Sequence, residues 1–241
     1  MSLHKKSQPY YYDLHIHTAL SPCANDDMTP NDIVGMAILN GLDIIAVTDH
    51  NSIANALPVI KAAENASALH GKNLIVLPGI EVSTAEEVHV LCLFDNIDSA
   101  GRFDSELNYF YSTVANREDI FGYQVLYDSE DNILGSVERM LIAPSLVSFD
   151  HLHEITHKHG GAFIPAHVDK DSFSVTSNLG FLPPHLEINT IELVSEDEAK
   201  NYPDKKIIHS SDAHQLWTIN DKKHSLSLPE LSAKAVVDFL R

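Results

Sequence analysis

Asp13-Leu14-His15-Ile16-His17-Thr18 closes an apolar run that opens at Tyr10, and its alternation is that of a β-strand. Residues two apart in a strand point to one face, so His15 and His17 project together. Two further strand-like runs end the same way. Thr48-Asp49-His50 follows Leu42-Asp43-Ile44-Ile45-Ala46-Val47, and Ser211-Asp212-Ala213-His214 follows Lys206-Ile207-Ile208-His209-Ser210. The same spacing aims Asp212 and His214 alike. One such pair on a surface strand is ordinary. Three at strand ends point to a metal site, because imidazole and carboxylate together ligate divalent cations.

Strand-like and helix-like segments alternate through the chain. Strands are predicted over 10–18, 42–48, 74–82, 88–94, 162–166, 187–194 and 206–210. Helices are predicted from Thr29, with Pro30 at the first helical position and Gly41 as the stop, then over 52–70, roughly 100–118, 144–159 and 229–240. Such alternation predicts a parallel sheet flanked by helices. Ligands at the ends of many successive strands favour a barrel over an open sheet, since a barrel gathers those ends at one point. The expected fold is therefore α/β, a distorted (β/α)7 barrel of TIM-barrel type. A small β-hairpin insertion is expected over 123–139, around the polar turn Asp128-Ser129-Glu130-Asp131-Asn132. No repeat or linker divides the 241 residues, which read as one domain over 1–241.

Bulk composition narrows the function. Asp plus Glu number 34 against 16 Lys plus Arg, a formal net charge of −18. That surface repels a nucleic-acid backbone and an anionic membrane, so neither long nucleic acid nor membrane is an expected partner. No apolar run approaches the roughly 20 residues of a membrane span. The leading Met1–Lys6 precedes no long apolar core, so no signal peptide is expected. Two cysteines make no disulfide framework and fit a cytoplasmic setting. The 15 histidines are an excess that metal ligation would explain.

Three weaker candidates sit at similar strand ends: Glu81 in Pro78-Gly79-Ile80-Glu81, His89 opening Val90–Phe94, and His167 in Ile164-Pro165-Ala166-His167. Taken together, Asp13–Thr18, Ala46–His50, Gly79–Glu81, His89, Ala166-His167 and Ser211–His214 resemble the PHP (polymerase and histidinol phosphatase) family. Their order and spacing match from about residue 12 to 215.

The resemblance implies up to three divalent ions, Zn, Mn or Fe with Mg admissible, at the barrel's C-terminal face. It implies His15, His17 and Asp212 on one ion, Glu81 bridging to a second, His89 and His167 completing that second site, and His50 with His214 on a third. Asp13 and Asp49 would brace these ligands. The third ion needs a further ligand shortly after His17. Cys23 is the first choice, since a thiolate suits zinc, and Asp26 or Asp27 competes.

The loop after His167 departs from the family pattern, with Val168-Asp169-Lys170-Asp171-Ser172 where proline is common. Lys170 and Ser172 are candidate phosphate contacts there. The expected reaction is metal-activated hydroxide attacking a small phosphomonoester or phosphodiester, such as a nucleotide or a sugar or amino-alcohol phosphate. Glu81 would position the ions, and His50 or His214 would protonate the leaving group. Two other readings stay open: a non-catalytic metal-binding regulatory module, and an amidohydrolase-like hydrolase, for which a strand-end lysine is missing.

His153-Glu154-Ile155-Thr156-His157 also spells the zinc-peptidase helix motif H-E-x-x-H. The third histidine of the longer pattern is replaced by Phe163. His151, His153, His157 and His159 are therefore expected on the solvent face and C-terminal turn of a helix outside the barrel.

Overall fold

The computed structural model describes residues 7–241. The leading segment read above as carrying no signal peptide lies outside them.

Strand β1 (Gln8–Ile16) lies parallel to β2 (Ile44–Val47), which lies parallel to β3 (Ile75–Ser83). Parallel neighbours need crossovers. The first is α1 (Pro30–Leu39), where the Thr29 hydroxyl accepts from the Asp32 N–H and Pro30 opens the helix. The second is α2 (Ala56–His70), stopped by Gly71 at φ +68°.

The next strand departs from the expected parallel order. Only residues 84–88 join β3 to β4 (His89–Leu93), a link too short for a crossover, so β4 runs antiparallel to β3. It is antiparallel also to β7 (Ala162–Pro165). Gly79 permits this tight arrangement, because a Cβ there would fall 2.6 Å from the Leu93 side chain and 3.1 Å from the Val47 carbonyl.

Between β4 and β7 come α3 (Ile97–Leu107), the single turn α4 (Glu118–Phe121), the hairpin β5 (Val125–Tyr127) and β6 (Ile133–Ser136), and α5 (Phe149–Lys158). The hairpin falls within its predicted range. The helix expected to 118 stops at Leu107, before the aromatic and β-branched run Tyr109–Val114, which favours extended backbone. The helix expected from Pro144 begins only after the Ser148 N-cap. Ser145 instead donates its N–H to the Ser83 carbonyl, extending the edge of β3.

After β7 come the one-turn α6 (Val175–Asn178), β8 (Thr190–Glu192), β9 (Lys206–Ile208), β10 (Ser225–Leu228) and α7 (Ala233–Leu240). The sheet runs β10-β1-β2-β3-β4-β7, with β8 and β9 paired parallel beside it. Backbone bonds tie that pair to both flanks. Val168 donates to the Glu192 carbonyl at 2.9 Å, and His17 donates to the Ala213 carbonyl at 2.9 Å. The result is an α/β fold whose sheet curls on itself. β10, unforeseen because Ser-Leu-Ser-Leu is too short to stand out, covers the free edge of β1.

The strand faces explain where the polar residues gather. Leu14, Ile44, Ala46, Leu77, Leu91, Leu93 and Ile164 form the inner core of the curl, while Ile45, Val47 and Val76 face the helices. Two inner rows end on a polar residue at the carboxyl side of the curl. Leu77 and Gly79 lead to Glu81, and Leu93 and Leu91 lead back to His89, all at a spacing of two. In β1 the register shifts between Asp13 and Ile16, and Ile16 joins the helix-facing cluster although Leu14 is inner. That irregularity gives His15 and His17 the inward face. Among the described residues, no helix is long and apolar enough to cross a membrane.

Candidate metal centre

Glu81, 1 % exposed, sits at the middle of five imidazoles. Its Oε1 lies 2.9 Å from His89 Nδ1, 3.3 Å from His15 Nε2 and 3.4 Å from His167 Nε2. Its Oε2 lies 2.9 Å from His50 Nδ1 and 3.4 Å from His17 Nε2. Asp212 Oδ1 stands 3.3 Å from His15 Nε2, 3.4 Å from His17 Nε2 and 3.6 Å from His214 Nδ1.

Among the described residues, three groups offer ligand atoms all within 4.8 Å of one another: His15, His17, Glu81 and Asp212; His50, Glu81 and His89; and His17, His50 and His214. His50 thus shares a group with Glu81 as well as with His214, and His167 falls outside all three groups, facing Glu81 through Nε2.

The rings are held by specific partners. His15 Nδ1 faces both oxygens of Glu192 at 3.1 Å, and Glu192 Oε2 also accepts the backbone N–H of His167. The Ser21 hydroxyl accepts from His17 Nδ1 and from the His50 N–H, and donates to Asp49 Oδ1 at 2.7 Å. Asp49 in turn takes the N–H and hydroxyl of Thr18. Asp13 takes the N–H and hydroxyl of Ser211 and the N–H of Asn220, and so fixes the segment that carries Asp212. Burial pushes both the Asp13 and Asp49 carboxyls up to about 6.

Asp212 and His214 do arrive together, but by a turn and not by strand alternation. β9 ends at Ile208, Asp212 takes φ +52°, and His214 Nδ1 bonds back to the Asp212 carbonyl. His167 at φ +30° and Asn51 at φ +46° are likewise in the left-handed region, which non-glycine residues rarely occupy away from functional sites.

Charge in the cluster is distributed unevenly. Burial opposes protonation of His15, yet the charges of Glu192, Asp212 and Glu81 hold it well above the usual histidine range. Burial likewise opposes the His50 cation, but Glu81 raises that ring to about 10. Burial and the neighbouring His214 keep His17 well below its usual value, hence neutral. Burial would raise Asp212, but His15 and His17 hold it well below the usual carboxylate range.

A cavity of about 350 Å³ opens over this floor. Cys23, His50, Glu81, His89, His167, Lys170, Ser172, Asp212 and His214 reach it, joined by the apolar Ile142 and Phe173. Lys170 Nζ pairs with Asp212 Oδ2 at 2.7 Å. Asp26 and Asp27 are exposed and outside the lining. Burial raises the Cys23 thiol, but hydrogen bonds with His214 and His50 outweigh it and bring the thiol to about 7.

The arrangement fits bound cations. His15 Nε2, His17 Nε2, His50 Nδ1 and Glu81 Oε2, which face one another across the cluster, are buried with no hydrogen-bond partner. Unpartnered buried polar atoms are rare in native folds, and several converging on one space call for an ion. His50 Nδ1 and Glu81 Oε2 are 2.9 Å apart yet outside hydrogen-bond geometry, as two ligands of a shared cation would be.

The H-E-x-x-H stretch lies on α5, and none of its residues enters these groups. Its histidines are less exposed than expected. His153 Nε2 meets the Glu187 carbonyl at 3.1 Å, and His159, with a side chain 12 % exposed, pairs with Glu106 at 2.7 Å. These two have structural partners, whereas His157 Nε2 is buried with no hydrogen-bond partner.

Sequence reading missed Glu192. Thr190-Ile191-Glu192 is a short buried strand with no histidine beside it, and only the fold shows that its carboxylate serves two ring-bearing segments. Asn51 was also missed. It takes the Ser83 N–H on its carbonyl oxygen and donates to the Leu141 and Ala143 carbonyls.

A curled α/β sheet with buried imidazoles and carboxylates at its carboxyl-side mouth defines the class: an α/β fold carrying a candidate polynuclear metal centre. A family model for the PHP domain matches residues 13–211, and the chain belongs to that family. The chain is similar to the 5'-3' exoribonuclease Rnm of Salmonella typhimurium, 36 % identical over 92 residues, 37 % of this chain and 28 % of the relative. It thus matches under a third of that relative's length. Among solved structures, the lesion-specific endonuclease PfuEndoQ of Pyrococcus furiosus superposes with a TM-score of 0.69 at 17 % identity, over 97 % of this chain and 56 % of that one. A candidate metal-dependent phosphoesterase from Bifidobacterium adolescentis superposes at 0.57 and 17 % identity, over 91 % and 94 %. At those identities the likeness is one of fold.

Proposed function

We propose that the protein hydrolyses a phosphoester at a cluster of up to three divalent ions. The observation that carries this reading is the single buried carboxylate of Glu81 between five imidazoles, with unpartnered ring nitrogens around it. His15, His17, Glu81 and Asp212 would hold the first ion. Glu81, His89 and His167 would hold the second, with His50 beside them. His50 and His214 would hold the third, with Cys23 as the pocket-lining candidate to complete it in place of Asp26. Zn, Mn and Fe all suit this mixed nitrogen and oxygen set. Such ions lower the pKa of a water toward neutrality and neutralise the oxygens of a phosphate.

The chain's own groups supply the rest. Lys170, at the rim, offers the phosphate a positive charge on a chain of net charge −18. Burial works against the His214 cation, but Cys23 and Asp212 raise its pKa, which suits the ring to protonate the leaving oxygen where no third ion occupies it. Ser21, Asp49, Asp13 and Glu192 fix ring orientation, which keeps reacting groups in register.

The named activity of the exoribonuclease relative pulls against an expectation of small substrates alone. A cavity of about 350 Å³ in an acidic chain suits a free phosphoester or the terminal unit of an oligonucleotide. The curl, closed through β8 and β9 by the bonds at Val168 and His17, supports reading β1, β2, β3, β4, β7, β8 and β9 as the distorted (β/α)7 barrel. Cys23 and Cys92, both free thiols, fit a cytoplasmic setting.

The test is phosphate release from a panel of mono- and diesters with Mn, Zn, Fe or Mg supplied. Turnover in the wild type, lost by about a hundredfold or more in His15→Ala and Asp212→Ala, is the expected result. Metal binding without turnover on any ester would mark a regulatory module instead and overturn the proposal.

A further inference from the structure

Phe173 is 47 % exposed at the mouth of the cavity, adopts φ +55°, and stacks on the His89 ring with centroids 4.9 Å apart and planes 20° from parallel. Its carbonyl accepts the His89 N–H at 2.9 Å, so backbone and ring are both tied to a candidate ligand. A bulky aromatic in the left-handed region is an outlier, held only where its surroundings dictate the conformation. Here that conformation places an apolar ring beside a polar floor. Ile142 lines the same cavity, while Lys170 and Ser172 bring the rim's polar groups. A bare phosphate would need only the floor and Lys170. Two apolar side chains at the mouth suit a flat apolar group attached to that phosphate.

We propose that Phe173 is a stacking shelf for the base of a nucleotide whose phosphate lies over Glu81 and Asp212. The assignment rests on the phosphoester reading for the phosphate's place, but the shelf itself is a separate contact. A π-face is common to every base, so the shelf selects nucleotides over sugar phosphates without selecting a sequence. It also suits a strongly acidic chain, because stacking binds a nucleotide without a basic track for a polyanion.

The test compares dissociation constants for two phosphonates that carry no ester to cut, the 5'-methylene phosphonate analogue of AMP and methylphosphonate. They are measured by calorimetry on the metal-loaded wild type, Phe173→Ala and Phe173→Trp. The wild type should prefer the nucleoside phosphonate. Phe173→Ala should cut that preference roughly tenfold or more, and Phe173→Trp should keep it. If Phe173 merely covers His89, Phe173→Ala weakens both ligands equally and the ratio stays put, which overturns the shelf. A ratio that collapses in Phe173→Trp as well overturns it too. A shelf that behaves as expected in a protein that cleaves no phosphoester would overturn the catalytic reading alone.

Discussion

Glu192 Oε2 bonds at once to His15 Nδ1 at 3.1 Å and to the backbone N–H of His167 at 3.0 Å. One buried carboxylate from β8 thus orients the His15 ring on β1 and holds the backbone of the turn after β7 that carries His167. With Nδ1 turned to Glu192, Nε2 is the His15 nitrogen left facing Glu81 and Asp212, available to an ion that displaces its proton. Glu192→Gln keeps the size and loses the charge. It should weaken metal affinity or turnover by roughly 10- to 100-fold while leaving the fold intact. Metal titration and circular dichroism on the purified variant check this, and unchanged affinity would remove the orienting role.

Cys23 is exposed, with its thiol near 7, whereas Cys92 is buried, hydrogen-bonded to Thr156 and pushed up to about 12 by burial. Iodoacetamide at pH 7.5 should therefore alkylate Cys23 alone in the metal-free protein. If Cys23 completes the third site, saturating Zn should slow that labelling about tenfold or more, because a ligated thiolate is no longer free to attack. Mass spectrometry of the tryptic peptides reads both outcomes. Equal labelling with and without Zn would leave Cys23 a bystander at the rim.

Most of the side chains that converge on Glu81 were legible because His-x-His, Asp-His and Asp-x-His pairs close apolar runs, and hydrophobic periodicity marks those runs without a structure. What stayed hidden depends on contacts between distant segments. Glu192 has no local signature, and its role exists only because β8 lies beside both β1 and the turn after β7. The antiparallel direction of β4 was decided by a five-residue link whose shortness the alternation pattern does not weigh. Asp212 and His214 were placed correctly for an incomplete reason, since a left-handed residue does what strand alternation was expected to do. Neither Phe173 nor Asn51 stands out in sequence, because an isolated aromatic and an isolated amide carry no periodicity.

Asn51 joins the hairpin insertion to the cluster. It follows His50, sits at φ +46°, takes the Ser83 N–H and donates to the Leu141 and Ala143 carbonyls that flank Ile142 of the cavity. The Arg139 guanidinium donates to its carbonyl from the other side and lies over the Tyr111 ring. Asn51→Ala removes the partner of two buried backbone groups and one half-buried one and strains the backbone, a cost of about 1–3 kcal/mol. For a chain of this length that corresponds to a melting point lower by roughly 3–10 °C. Asn51→Gly relieves the strain but not the lost bonds, so it should recover only part of the difference. A full recovery in thermal melts would show that the side-chain bonds contribute nothing.

Metal removal and pH are coupled through the same rings. Ions bound at about a hundred times their dissociation constant stabilise the fold by about 2.7 kcal/mol, so chelation should lower the melting point by roughly 5–10 °C. In the metal-free protein the Glu81 charge overcomes burial and lifts His50 to about 10, above its unfolded value near 6.5. The His50–Glu81 ion pair therefore contributes fully below about 6.5 and fades as pH rises through about 10. An ion must displace that proton, so its affinity rises over the same range. The two changes express one proton exchange at His50, and the gap between loaded and chelated melting points should widen from pH 6.5 to 8.5. Scanning calorimetry at the two pH values, with and without chelator, measures the gap directly. A gap that narrows with rising pH would mean that the ions do not compete with protons for these rings.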